Sequence, residues 1–242
     1  MALKFYSLFS RTERSSCKEP NNNPGMNSRI SLNEDNFTTS KLTPLSMVAD
    51  AFEDLSAMVK AKGFDYDLDL KTFCDACSLV SVLFGCLGKA FKFAESEYCY
   101  KVNSLAEASD SHGTLNNVLD LDVKNDTVKT QGSLSRCLRR VRQGLDLIRT
   151  LYQNFLSSDD SCLKEAASTA YAKACAPYHS WAVRTAVSAG MYALPTREQL
   201  LQKLNETEES AEREMIRFIK ASLPVIQYID NLYTSRNISL DW

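Results

Sequence analysis

Residues 133–155 read Ser-Leu-Ser-Arg-Cys-Leu-Arg-Arg-Val-Arg-Gln-Gly-Leu-Asp-Leu-Ile-Arg-Thr-Leu-Tyr-Gln-Asn-Phe, and this stretch decides the fold class. Leu134, Leu138, Val141, Leu145, Ile148, Leu151 with Tyr152, and Phe155 recur in steps of four and three. That period lines them up along one stripe of an α-helix, and such a stripe needs a partner surface to cover it. Ser133 stands where an N-cap is wanted, with a hydroxyl that can accept from the unpaired N–H groups of the first turn.

Outward from this helix the composition agrees. The 242 residues include only 8 Gly and 6 Pro, and Pro20, Pro24 and Pro44 fall in the first 44 positions. A β-sandwich or barrel needs turn residues roughly every 8–12 positions, which the remainder cannot supply. No G-x-G-x-x-G or G-x-x-x-x-G-K-[ST] occurs, so a phosphate-cradling βα turn is excluded. A net charge of −2 gives no basic field for nucleic acid. The uncharged apolar run at residues 77–88 is 12 long, well short of a membrane span of about 20. Eight cysteines mostly sit in apolar helical stretches, with no secretory h-region ahead of them. They read as small core residues of a reduced, cytoplasmic chain.

Residues 1–42 are set apart. Asn21-Asn22-Asn23 lies between two prolines, and no helical or strand period runs through 15–42, so a disordered N-terminal segment is expected, with a transit peptide as the alternative for the first sixteen. Residues 43–242 form the single domain. Thr43-Pro44 opens a helix that Gly63 closes. A long apolar helix starts near Leu70 and runs past Lys101. A break at Asp110–Gly113 is followed by a short helix over 114–124. After the turn at 157–160 come helices over 162–175, Trp181–Leu194 and a last region from Pro195-Thr196. About eight helices are expected.

Most chemistry-bearing residues have a structural reading of equal weight. Cys74 and Cys77 lack the second ligand pair that zinc needs, so no metal site is expected. His112 sits in a polar loop, and His179 stands among aromatics in Ala-Pro-Tyr-His-Ser-Trp. No nucleophile–base pair or elbow motif accompanies either histidine, so the chain is not read as an enzyme. Arg136 and Arg140 are four apart and share a helix face, where two guanidinium forks could hold one phosphate. Counted at 100° per residue that face lies opposite the apolar stripe, so a solvated basic face is the plainer reading. Glu97 and Lys101, also four apart, match an ordinary helix-surface ion pair.

Four blocks in order carry a resemblance. They are residues 76–95 (Ala-Cys-Ser-Leu-Val-Ser-Val-Leu-Phe-Gly-Cys-Leu-Gly-Lys-Ala-Phe-Lys-Phe-Ala-Glu), 136–146 (Arg-Cys-Leu-Arg-Arg-Val-Arg-Gln-Gly-Leu-Asp), 176–184 (Ala-Pro-Tyr-His-Ser-Trp-Ala-Val-Arg) and 190–197 (Gly-Met-Tyr-Ala-Leu-Pro-Thr-Arg). With the closing Leu240-Asp-Trp, they resemble the glycolipid transfer protein superfamily, most of all its plant accelerated-cell-death branch, the ceramide-1-phosphate transfer proteins. The resemblance covers residues 43–242.

It implies an all-α, two-layer helical sandwich holding one sphingolipid, chains between the layers and headgroup at the surface. By position it implies that His179 bonds the ceramide amide region and that Lys101, Arg136 and Arg140 hold the phosphate. Sugar-binding members place a Trp at the position of Arg140. Glu97 stands where the family has an amide-binding Asp, its carboxylate one methylene further out. Trp181 and Tyr192 are the candidates for membrane docking. The expected function is non-enzymatic transfer of ceramide-1-phosphate between membranes. The protein would be cytoplasmic and peripheral at membranes, a monomer needing no cofactor and binding no nucleic acid. A lipid sensor acting through a protein partner and a glycolipid carrier are the alternatives.

Overall fold

Thr43 caps the first helix as the sequence predicts. Its hydroxyl accepts from Ser46 N, the Ser46 hydroxyl accepts from Thr43 N in return, and Pro44 takes the first helical position, where no N–H is needed. The structure, a computed structural model, describes residues 42–63, 66–157 and 163–242. The disorder or transit peptide expected of the N-terminal segment lies outside them but for Leu42, as does most of the turn at 157–160. Residues 42–242 form one compact unit.

Ten α-helices are described: α1 Pro44–Lys62, α2 Leu70–Cys86, α3 Lys92–Glu107, the single turn α4 Ser109–His112, and α5 Leu115–Lys124. They continue with α6 Leu134–Leu156, α7 Leu163–Ala174, α8 Trp181–Gly190, α9 Arg197–Leu204 and α10 Glu208–Thr234. Three 3-10 turns, Lys89–Phe91, Ala176–Tyr178 and Met191–Ala193, join some of them. The architecture is all-α. Among the described residues no strand forms beyond an isolated bridge between Asp69 and Thr114, and no helix is long and apolar enough to cross a membrane.

The count exceeds the expected eight for local reasons. The predicted helix from Leu70 past Lys101 is two helices, because Gly88 adopts φ 98°, a left-handed backbone that an α-helix cannot pass through. Asn205, also left-handed at φ 58°, divides the last region into α9 and α10. The helix expected over Trp181–Leu194 stops at Gly190 and finishes as a 3-10 turn. His112, read as a loop residue, closes α4, where its Nδ1 lies 3.1 Å from Ala108 O.

Contacts between helices group them in two layers. α1, α2, α3 and α9 are joined through α2, while α5, α7 and α10 all pack on α6. α10 lies against α1, and α3 against α6, so the layers meet over the apolar core. The stripe read from the sequence faces it: Leu138, Val141, Leu145, Ile148, Leu151, Tyr152 and Phe155 are all buried. Cys74 and Cys77 are buried too, as core residues.

Candidate functional site

Pro177 makes the site possible. With no N–H to give, it cannot extend α7, and the chain turns through Ala176–Tyr178. His179 follows in extended conformation (φ −105°, ψ 144°), and Ser180 then caps α8 by accepting from Val183 N. The imidazole is thus held between two helices. Its Nδ1 lies 2.9 Å from the hydroxyl of Tyr171 on α7. Burial, and then the positive charge of Arg140, push its pKa below 6.5, so the ring is neutral at neutral pH.

Across from it runs the basic face of α6. Arg140 donates to Gln143 Oε1 at 2.6 Å, and Arg136 donates to the Lys129 carbonyl at 2.7 Å. Burial, then Arg136, then Arg139 lower the pKa of Arg140, which records a crowd of like charges in a partly desolvated place. Lys101 of α3 reaches the same neighbourhood, since its charge and that of Arg136 both act on the Cys137 thiol.

The solvated face expected from helical counting for Arg136 and Arg140 is half-buried at both, and Arg139 beside them is buried. It is only 3% exposed, because Tyr178 and the C-terminal segment cover it. Its guanidinium lies 5.3 Å from the Tyr178 ring centroid and donates Nη2–H to Leu240 O at 2.6 Å. Arg139 Nε and Nη1 and Gln143 Nε2 are buried donors with no partner among the described residues. Leu240 stands 101 residues along the chain, so helical periodicity carries no sign of this cover.

Glu97 makes the ion pair that its spacing predicts, with Oε2 3.5 Å from Lys101 Nζ, and among the described residues it joins the cluster through that lysine. Trp181 and Tyr192 are 74% and 77% exposed, and α8 buries none of its residues. Lys164 Nζ sits 3.5 Å above the Tyr192 ring. Phe93, not singled out by sequence, is as exposed as Trp181, and the 3-10 turn just before it packs on the turn that carries Tyr192. Tyr171 was equally silent: one tyrosine in an alanine-rich helix gives no local sign that the chain will fold back onto it.

Known proteins resemble this chain in sequence and in fold. The family model "Glycolipid transfer protein" matches residues 68–206. The chain is 61% identical over 204 residues to an Arabidopsis thaliana protein described as ACD11 homolog protein, covering 83% of this chain and 89% of that one. It is 44% identical over 200 residues to Arabidopsis thaliana accelerated cell death 11, covering 82% and 96%. A crystal structure of an Asp-to-Asn mutant of that Arabidopsis protein complexed with C12 ceramide-1-phosphate superposes with a TM-score of 0.80, covering 84% of this chain and all of that one, at 44% identity.

Proposed function

The chain belongs to the glycolipid transfer protein family, and on that premise we propose that it carries a sphingolipid between membranes, with ceramide-1-phosphate as the cargo. One observation carries the choice of headgroup. Arg136, Arg139 and Arg140 crowd one another with no carboxylate partner among the described residues; Arg149 and Arg184 also lack one, while Arg142, Arg197, Arg213, Arg217 and Arg236 each pair with at least one. Like charges gathered in a partly buried place repel until an anion joins them. A phosphate monoester, with about −1.5 to −2 charges and three acceptor oxygens, meets that need; a neutral hexose does not. The bound ceramide-1-phosphate of the Arabidopsis relative supports the same cargo.

In this reading Lys101, Arg136 and Arg140 take the phosphate, Glu97 accepts from the amide N–H, and His179 bonds the amide region. The two chains lie in apolar space between the helix layers. Each methylene leaving a bilayer must regain about 0.8 kcal/mol, so that space has to be as apolar as lipid and gives no selectivity by itself. Selectivity comes from the desolvated polar contacts at the headgroup. Trp181 and Tyr192 dock the protein at the membrane surface from the cytosol. The protein acts as a monomer, and no bond is made or broken in the cycle. Residues 43–242 do this work as one domain.

Transfer between vesicles of labelled ceramide-1-phosphate and, in parallel, of labelled galactosylceramide tests the reading. The phosphate lipid is expected to move and the sugar lipid to lag far behind. Equal or faster movement of galactosylceramide would overturn the cargo. Tight ceramide-1-phosphate binding without transfer would make the protein a sensor.

A further inference from the structure

The hydrogen bond between Tyr171 and His179 has a direction, and that direction decides what the imidazole can recognise. The Tyr171 hydroxyl and His179 Nδ1 are 2.9 Å apart, with ring centroids 5.6 Å apart and the planes inclined at 45°. The phenol keeps its proton: burial raises its pKa above the usual 10, Cys175 adds to the rise and Arg184 opposes it. The imidazole is neutral because burial and Arg140 both disfavour its charge. One ring nitrogen therefore carries a proton and the other a lone pair.

Two arrangements are then open. If Nδ1 holds the ring proton, it donates to the Tyr171 oxygen, and the phenolic O–H is left with no acceptor among the described residues. If Tyr171 donates to Nδ1, the phenolic proton is placed and the ring proton stands on Nε2, where no group among the described residues accepts it and a ligand can. No hydrogen bond joins Arg140 to the ring; Arg140 gives its Nη1–H to Gln143. The phenol O–H is a stronger acid than a neutral imidazole N–H, and the imidazole nitrogen a stronger base than a phenol oxygen, so the 2.9 Å contact favours the second arrangement.

We infer that Tyr171 sets the tautomer of His179, donating its O–H to Nδ1 so that the imidazole presents Nε2–H as a fixed hydrogen-bond donor. Tyr171 is a positioning residue, and the ligand group it selects through His179 is an acceptor, a carbonyl oxygen. That the carbonyl belongs to the ceramide amide rests on the proposed cargo. An amide offers one N–H and one C=O. The Glu97 carboxylate only accepts and so suits the N–H, while Nε2–H suits the C=O. With the opposite tautomer both residues would present acceptors, and the carbonyl would find no donor in the pair.

Long-range ¹H–¹⁵N correlation on the full chain with ¹⁵N-labelled histidine reads the tautomer directly, with His179→Ala assigning the signal against His112. The wild type is expected to show a protonated Nε2, and Tyr171→Phe a mixture of tautomers. Ceramide-1-phosphate transfer by Tyr171→Phe is expected to fall about three- to tenfold, the loss of one hydrogen bond. In the His179→Ala background the same substitution should change transfer less than about twofold. A protonated Nδ1 in the wild type, an unchanged tautomer in Tyr171→Phe, or full additivity of the two substitutions would each overturn the inference. Should Tyr171→Phe not fold, the wild-type spectrum decides alone. A tautomer shift in a protein that transfers no ceramide-1-phosphate upholds Tyr171 and overturns the cargo.

Discussion

Arg140 stands where two demands meet: it is partly buried, and like charges surround it. Its one strong protein contact is to a neutral amide, Gln143, which leaves the remaining guanidinium donors for a ligand. Arg140→Trp removes the charge while keeping a large side chain. A charge-assisted hydrogen bond is worth about 1.5–3 kcal/mol, so ceramide-1-phosphate transfer should fall roughly ten- to hundredfold in a vesicle assay. Unchanged transfer would remove Arg140 from the headgroup site. His179 gives a second test, through pH. Its folded pKa lies below 6.5, so the stability tied to the neutral ring is fully present above pH 6.5 and is lost as pH falls through the folded value. Urea unfolding at pH 7.5 and at pH 5 should show a larger loss in the wild type than in His179→Gln. The same loss in both would mean that His179 titrates as it does in the unfolded chain.

Helices that announce themselves locally were legible, and their ends less so. Every strong feature of α6, its stripe and its Ser133 cap, lies within 23 residues of continuous chain, so periodicity finds it. The join between α2 and α3 is different. Gly88 looks like any helical glycine until its φ of 98° is seen, and the apolar residues on both sides read as one period. The site divides the same way. Arg136 and Arg140 share a face by spacing alone, but the cover over Arg139 and the tyrosine under His179 come from other parts of the chain.

Between elements, α6 and α3 meet closely at Gly144: a Cβ there would lie 2.7 Å from two carbons of the Tyr98 ring. Tyr98 is buried and donates to Cys77 O at 3.2 Å, so it has little room to move. Gly144→Ala should destabilise the fold by about 1–3 kcal/mol, read as a lower urea midpoint, despite the better helix propensity of alanine. Helix α8 behaves oppositely, since none of its residues is buried. Trp181→Ala combined with Tyr192→Ala should leave the urea midpoint nearly unchanged and weaken binding to lipid vesicles several-fold. A large stability loss without a binding loss would assign these aromatics to the fold.

Across the whole molecule, α10 gathers helices that the sequence keeps far apart. Arg217 pairs with Asp50 and Glu53 of α1, Asp230 takes Arg142 of α6, and Arg236, just past the end of α10, reaches Asp120 and Asn116 of α5. Tyr228 donates to Tyr66 O, and Tyr233 to Ser135 O. The chain that follows α10 then closes over the basic face of α6. Leu240 O is the one acceptor that Arg139 has among the described residues, and Trp242 packs edge-on to Tyr233 with centroids 6.4 Å apart. Removing residues 240–242 therefore strands a buried guanidinium, a cost of about 1–3 kcal/mol or more for a charged group. Replacing both members of such a pair by apolar groups is close to neutral. The truncation should lower the urea midpoint clearly in the wild type and much less in Arg139→Leu, a non-additivity that a double-mutant cycle reads directly. Equal losses in the two backgrounds would mean that the tail stabilises through Trp242 and that Arg139 gains its solvation elsewhere.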